Sequence, residues 1–228
     1  MALLAGCAER CYRNAGNAAL LDLLCDVPGR TALDLGCGAG DNARLLANRG
    51  WQITGVTLSR AEADAAAPWC QRVLVADLEQ GIPRDAGAEF DLVVMSHVIE
   101  HIVHTGRLMN DVRRALGRHG RLAVALPNVA HYSQRIKLIK GQFRYTPDGI
   151  LDETHVRFYT FETAREMLHQ NGFCVERAVA EGKLPWYVLR KVVPTRARRI
   201  LDTWACKHRP NLFGYNLLFL ASRTADIS

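Results

Sequence analysis

Three alternating glycines, Gly36, Gly38 and Gly40, follow an acidic side chain in the run Leu33-Asp34-Leu35-Gly36-Cys37-Gly38-Ala39-Gly40. Glycine lacks the Cβ that keeps a ligand off the main chain, and it adopts positive φ freely. A strand that ends in such a turn and leads into a helix therefore leaves backbone N–H groups facing a ligand. The last glycine falls two residues after the second rather than three, so the run is not the dinucleotide fingerprint and no pyrophosphate clamp is implied. Polar residues at later strand ends, Thr57 and Asp77, are further binding candidates. The histidines His131 and His155, the second flanked by Asp152 and Arg157, are candidates for proton transfer, because imidazole is the side chain best matched to neutral pH. Glu100, His101 and His104 have the composition of a metal site. Adjacent residues project in different directions, however, no second pair at i+4 spacing completes a ligand set, and His101 with His104 would still need a carboxylate or thiol from elsewhere, so no metal is expected.

The elements that must position these residues alternate along the chain. Residues 1–29 carry Ala18, Leu20, Leu21, Leu23 and Leu24 before Pro28-Gly29, which predicts a leading helix over one edge of the fold, with Cys7, Cys11 and Tyr12 upstream. The apolar run before the glycine turn is the first strand, and Asp41 to Gly50 reads as a capped helix. Trp51–Leu58, Arg72–Leu78, Phe90 onward and Arg121–Leu126 read as strands two to five, and Thr105–Leu116 as an amphipathic helix stopped by Gly117. Phe161–Gln170 is a second amphipathic helix ending at Asn171-Gly172. Phe173–Val179 and Tyr215–Ala221 are the last strands. Such β/α alternation predicts an α/β fold with a parallel sheet whose C-terminal edge binds the ligand.

The chain has 228 residues and a net charge of +6, enough length for a full core and consistent with a single domain over 1–228. The charge is local. Between Lys183 and Asn211 stand eight Lys/Arg against Asp202 alone, and the remainder is close to neutral. This segment includes an amphipathic stretch, Val193 to Trp204. Two readings stay open for it: contact with phosphates, an anionic membrane surface or a partner, or a surface helix packed by Ile200, Leu201 and Trp204. His131 to Arg144 is a second basic run, holding Arg135, Lys137, Lys140 and Arg144 with no acid. Aromatic residues do not interleave regularly with the arginines, so nucleic acid is not the expected partner. Seven scattered cysteines without a C-x-x-C pair argue against disulfides and zinc. With no apolar run long enough for a bilayer and no secretory start, a cytoplasmic location is expected.

Asp34 followed by Gly36-x-Gly38-x-Gly40 resembles motif I of the class I S-adenosylmethionine methyltransferases. The resemblance implies a Rossmann-like, seven-stranded, mostly parallel sheet with the last strand antiparallel and helices on both faces. It implies S-adenosylmethionine as cofactor, with Asp34, Gly36, Cys37, Gly38 and Gly40 around its methionine part, Asp77 and Leu78 at the adenine, and Ser96 and His97 beneath the sulfur. Thr57 stands where most of the family has the ribose-binding acid. Gly55-Val56-Thr57-Leu58-Ser59 resembles the cyclopropane-fatty-acid-synthase branch, and Glu62 or water is the alternative ribose partner.

Pro127-Asn128-x-x-His131, then Asp152-x-Thr154-His155-x-Arg157-Phe158-Tyr159-Thr160, is similar to small bacterial methyltransferases among glycan-modifying enzymes. By that likeness residues 128–160 and 182–213 are acceptor-side insertions. Asn128, Tyr132, Asp152 and Arg157 would bind the acceptor, and His155, or else His131, would act as base. The expected function is O-methylation of a sugar, glycan or nucleotide-linked sugar. A natural-product methyltransferase, an RNA methyltransferase and a non-catalytic cofactor-binding subunit are the alternatives.

Overall fold

The structure, a computed structural model, describes residues 15–186 and 193–224. Seven strands form one sheet: β1 (Thr31–Leu35), β2 (Gln52–Thr57), β3 (Arg72–Val75), β4 (Phe90–Ser96), β5 (Leu116–Pro127), β6 (Phe173–Glu181) and β7 (Asn216–Arg223), in the order β3-β2-β1-β4-β5-β7-β6. The first five pair in parallel, and β7 runs antiparallel between β5 and β6. The chain order reverses at β1 and β4, so their C-terminal ends border the crevice where open α/β sheets bind ligands.

Period-2 alternation builds two cores. Leu33 and Leu35 of β1, Val93 and Met95 of β4, Leu122, Val124 and Leu126 of β5, and Leu217 and Phe219 of β7 share one face. There they pack under α4 (Thr105–Ala115) and α6 (Phe161–Gln170). Ala32, Leu92, Val94, Ala123, Ala125, Leu218 and Leu220 fill the other face, beneath α1 (Ala18–Asp22) and α2 (Asp41–Ala47). The alanines of β5 leave room for Leu20 and Leu21 of α1. This helix lies over the β5–β7 face of the sheet rather than along an edge, as was expected. Cys7, Cys11 and Tyr12 lie outside the described residues.

The remaining helices carry the rim: α3 (Arg60–Ala66), α5 (Tyr132–Ile139), α7 (Thr195–His208) and the short α8 (Pro210–Phe213). The helix α6 has the predicted bounds and begins with a capping box, Thr160 Oγ1 accepting from Thr163 N while Thr163 Oγ1 accepts from Thr160 N. Two expectations need correction. β5 begins at Leu116 rather than Arg121, because Leu116 pairs with Phe90 through a register shift. Ile200, Leu201 and Trp204 do not pack α7: all three are exposed, and its buried residues are Ala205 and Cys206. Among the described residues no helix is long and apolar enough to cross a membrane.

Candidate cofactor and acceptor site

The glycine turn sits between β1 and α2. Gly36, Gly38 and Gly40 have φ of 69°, 51° and 85°, conformations that a Cβ disfavours. Gly36 N and Cys37 N both donate to Val56 O, which pins the turn against β2. Gly36 itself is exposed, an open patch of main chain on the C-terminal rim.

Asp34 points into the opposite core face, beside Gly55 in the β1–β2 register. It is 1 % exposed, and neither carboxylate oxygen has a hydrogen-bond partner. Burial pushes its pKa up to about 7. A carboxylate held this way has an unmet demand for a cation, and the ammonium of a methionine moiety would meet it. The neighbouring Cys37 thiol is likewise raised by burial, with Asp34 adding to the shift, so it is a neutral group against the turn.

Thr57 ends β2, buried, and its Oγ1 donates to Glu62 Oε2 at 2.5 Å. The two residues expected as alternatives at the ribose are therefore one unit. With its proton committed to Glu62, Thr57 offers only lone pairs outward, as an acid would. Asp77 accepts from Glu79 N at 2.9 Å and so caps a single turn over Leu78–Gln80, while Leu78 is buried in the core.

The exit loop of β4 crosses the rim opposite the turn. A Cβ on Gly36 would lie 2.6 Å from Val98 Cγ2. Ser96 is half-buried, and His97 adopts a φ of 57° that brings its Nδ1 within 3.1 Å of Glu100 Oε1. Glu100 is fully buried, and its Oε2 has no partner.

The segment carrying Asp152 to Arg157 is stapled to this loop. Val156 N and Arg157 N donate to Glu100 O, while the Arg157 guanidinium donates to Ile102 O and Val103 O. Asp152 Oδ1 accepts from Thr154 N and Oγ1. Arg157, expected to bind the acceptor, holds these two loops together through its guanidinium, and Asp152, expected beside it there, braces the turn of its own segment through Thr154. The His155 ring sits 4.8 Å from that of His101, and its Nδ1 donates to Ile150 O.

Asn128 is another departure from expectation. It is fully buried, its Nδ2 donates to Asn211 O and Gly214 O, and its Oδ1 accepts from Ala130 N. Its amide ties β5 to the segment before β7, with its N–H donors engaged by backbone carbonyls and the side chain closed off from the rim by burial. His131 caps α5: its Nδ1 accepts from Ser133 N and lies 2.8 Å from Ser133 Oγ. A ring whose Nδ1 accepts carries its proton on Nε2, so the neutral form is a donor there rather than a base. Burial holds the His131 pKa below the usual imidazole range. Tyr132, half-buried at the start of α5, meets that ring at a tilt, the centroids 4.2 Å apart.

The model of a methyltransferase-domain family matches residues 10–178. The chain belongs to that family. Its cofactor is S-adenosylmethionine, and the bare turn with the partnerless Asp34 fits the methionine end of that molecule. Similar proteins include a trans-aconitate 2-methyltransferase of Deinococcus radiodurans, 30 % identical over 55 % of this chain and 50 % of that protein. A ubiquinone biosynthesis O-methyltransferase of Acinetobacter baylyi is 22 % identical over 62 % of this chain and 60 % of its own length. The chain thus spans about half to three fifths of these curated relatives. Among solved structures, magnesium protoporphyrin IX methyltransferase from Synechocystis with bound S-adenosylhomocysteine superposes with a TM-score of 0.58 at 20 % identity, over 90 % of this chain and 80 % of that one. That likeness shows the shared methyltransferase fold.

What sequence reading missed at this rim is the convergence of Glu100, His101 and His155, whose ligand atoms all lie within 4.8 Å of one another. The expectation of no metal rested on the want of a second pair at i+4 spacing and of a further ligand from elsewhere in the chain. The fold supplies His155 from a different loop.

Proposed function

We propose that this methyltransferase domain O-methylates a small anionic acceptor, such as a nucleotide-linked sugar. S-adenosylmethionine supplies an electrophilic methyl whose transfer forms an O–C bond, breaks the C–S bond with its electron pair returning to sulfur, and frees the acceptor's proton. Asp34 pairs with the cofactor ammonium, Thr57 on Glu62 accepts from the ribose, and Asp77 accepts from the adenine amino group. Gly36 and Val98 together form the floor beneath the methionine chain. Holding donor and acceptor in line is the main contribution such a site makes.

The observation that supports the acceptor class is a run of basic residues flanking the aromatic cluster whose Phe158 ring contacts His155. Arg135, Lys137, Lys140 and Arg144 lie on α5 and the segment after it, with no acid from His131 to Tyr145. Phe143, Tyr145 and Phe158 make ring contacts next to them. Basic groups suit a phosphate or carboxylate, and the aromatic faces suit a flat ring. A hydroxyl as the methylated group is supported by the ubiquinone biosynthesis O-methyltransferases among the relatives.

The experiment incubates the protein with methyl-labelled S-adenosylmethionine and two acceptor panels, nucleotide-linked sugars and phenolic carboxylic acids, and identifies labelled products by mass spectrometry. Label on a sugar hydroxyl supports the reading, and label on a phenol moves the acceptor to an aromatic acid. Cofactor binding without transfer to either panel or to a metabolite extract would overturn it in favour of a non-catalytic subunit.

A further inference from the structure

We propose that Glu100, His101 and His155 form a binding site for one divalent transition-metal ion of the zinc type. The donors come from two loops that the fold brings together at the end of β4, and each is prepared for the task by what its other atoms do. His155 Nδ1 donates to Ile150 O at 3.0 Å, so this nitrogen carries the proton and Nε2 keeps its lone pair. His101 Nδ1 lies 3.1 Å from Thr154 Oγ1 and 3.3 Å from Thr154 O. The Thr154 hydroxyl has spent its proton on Asp152 Oδ1 at 2.7 Å, so it can only accept from His101, whose Nε2 is left free as well.

Glu100 completes the set. Its Oε1 is engaged by His97 Nδ1, and its Oε2 is buried with no partner at all. An orphan carboxylate oxygen in a fully buried side chain is costly, and a cation beside it removes the cost. The side chains that surround the three ligands, His97, Thr154 and Asp152 together with the Ile150 carbonyl, are the kind of second layer that fixes imidazole tautomers and carboxylate orientation at metal centres. The loops themselves are held by Val156 N and Arg157 N on Glu100 O. The ligand atoms already lie within 4.8 Å of one another, against an edge of roughly 3.4 Å for a tetrahedron with zinc–nitrogen bonds, a difference that small side-chain rotations close.

Two imidazoles and one carboxylate suit zinc or iron(II) rather than magnesium or calcium, which take oxygen. Three protein ligands also leave a position open. Resting on the methyl-transfer reading, that position would take the acceptor hydroxyl and ease loss of its proton. The His155 expected as a base then acts as a ligand.

The test is made on the full chain, purified with chelator and then dialysed free of it. Titration with Zn²⁺, without S-adenosylmethionine, should saturate at one ion per chain. Loading with Co²⁺ should give visible ligand-field bands and two hyperfine-shifted, exchangeable proton resonances from the two Nδ1–H groups. Glu100→Gln, His101→Gln and His155→Gln should each weaken zinc at least tenfold, while His119→Gln, an exposed histidine on β5, should not. S-adenosylmethionine titrations on the same variants report folding and stay near the parent value. Absence of stoichiometric zinc binding by the parent chain, or a cobalt adduct without the two imidazole resonances, overturns the site even if a variant fails to fold. Zinc binding with no cofactor binding would instead remove the methyl-transfer reading and leave the metal site standing.

Discussion

The first glycine of the cofactor turn faces Val98 so closely that a Cβ at position 36 would lie 2.6 Å from Val98 Cγ2. Gly36→Ala must therefore displace the β4 exit loop and also hold alanine at a φ of 69°. The left-handed backbone alone costs about 1–2 kcal/mol. We expect S-adenosylmethionine affinity to fall at least tenfold by calorimetry. Gly36→Ala combined with Val98→Ala should recover only part of it, because relieving the contact leaves the backbone strain. Full affinity in the single variant would show that this turn does not carry the cofactor.

Thr57 and Glu62 supply a second, separable expectation. Thr57→Val keeps shape but withdraws the hydroxyl that donates to Glu62 Oε2. Losing a buried bond to a carboxylate costs on the order of 1–3 kcal/mol, so the melting temperature should drop by several degrees. Cofactor affinity should drop with it, since the lone pairs offered to the ribose are lost. Thr57→Ser should restore both. A cofactor affinity indifferent to Thr57→Val would place the ribose elsewhere.

Much of this architecture was legible because it repeats. Strand-like and helix-like segments alternate along the chain, which predicted the parallel α/β sheet, and the resemblance at the glycine turn supplied the seven strands and the helices on both faces, where Leu33 and Leu35 face one core and Ala32 the other. Asp34, Gly36 and Gly40 could be picked out because a turn needs particular residues at particular offsets. The early start of β5 was hidden because Gly117-Arg118-His119-Gly120 has the composition of a turn and is drawn into the ladder only by Phe90. Glu100 and His155 lie in separate loops, and nothing periodic links them. Asn128 and Arg157 were expected to bind the acceptor because their motifs resemble those of glycan-modifying methyltransferases, yet backbone carbonyls take up their donors. Polarity near a site does not reveal which polar groups are already satisfied.

Asn128 therefore gives a prediction opposite to that of an acceptor contact. Asn128→Ala leaves the carbonyls of Asn211 and Gly214 and the amide of Ala130 without the partners they have now. Each unsatisfied buried group costs about 1–3 kcal/mol, so a loss of several kcal/mol in chemical denaturation is expected. S-adenosylmethionine affinity should stay close to the parent below the transition, because the turn at Gly36 is on the far side of β4. Unchanged stability with a raised acceptor KM would reinstate Asn128 as a binding residue.

Asp34 ties cofactor binding to pH. Its folded pKa of about 7 lies above that of an exposed aspartate, so the folded, cofactor-free protein binds a proton more tightly than the unfolded chain does. Stability from this group is therefore highest at low pH, declines as pH rises from about 4 to about 7, and is level above that. The cofactor ammonium favours the charged carboxylate and reverses the preference. Below pH 7, binding must expel the proton, and affinity should climb with pH up to about 7 before flattening. Calorimetry at pH 6 in two buffers of different ionisation enthalpy should show proton release on binding. Asp34→Asn should bind more weakly, with no release attributable to this site. In the absence of cofactor it should melt a few degrees above the parent at pH 8, where the parent buries a charge, and the gain should vanish near pH 5, where the parent side chain is neutral. A parent protein whose affinity is the same at pH 5.5 and 7.5 would mean that Asp34 and the ammonium do not meet.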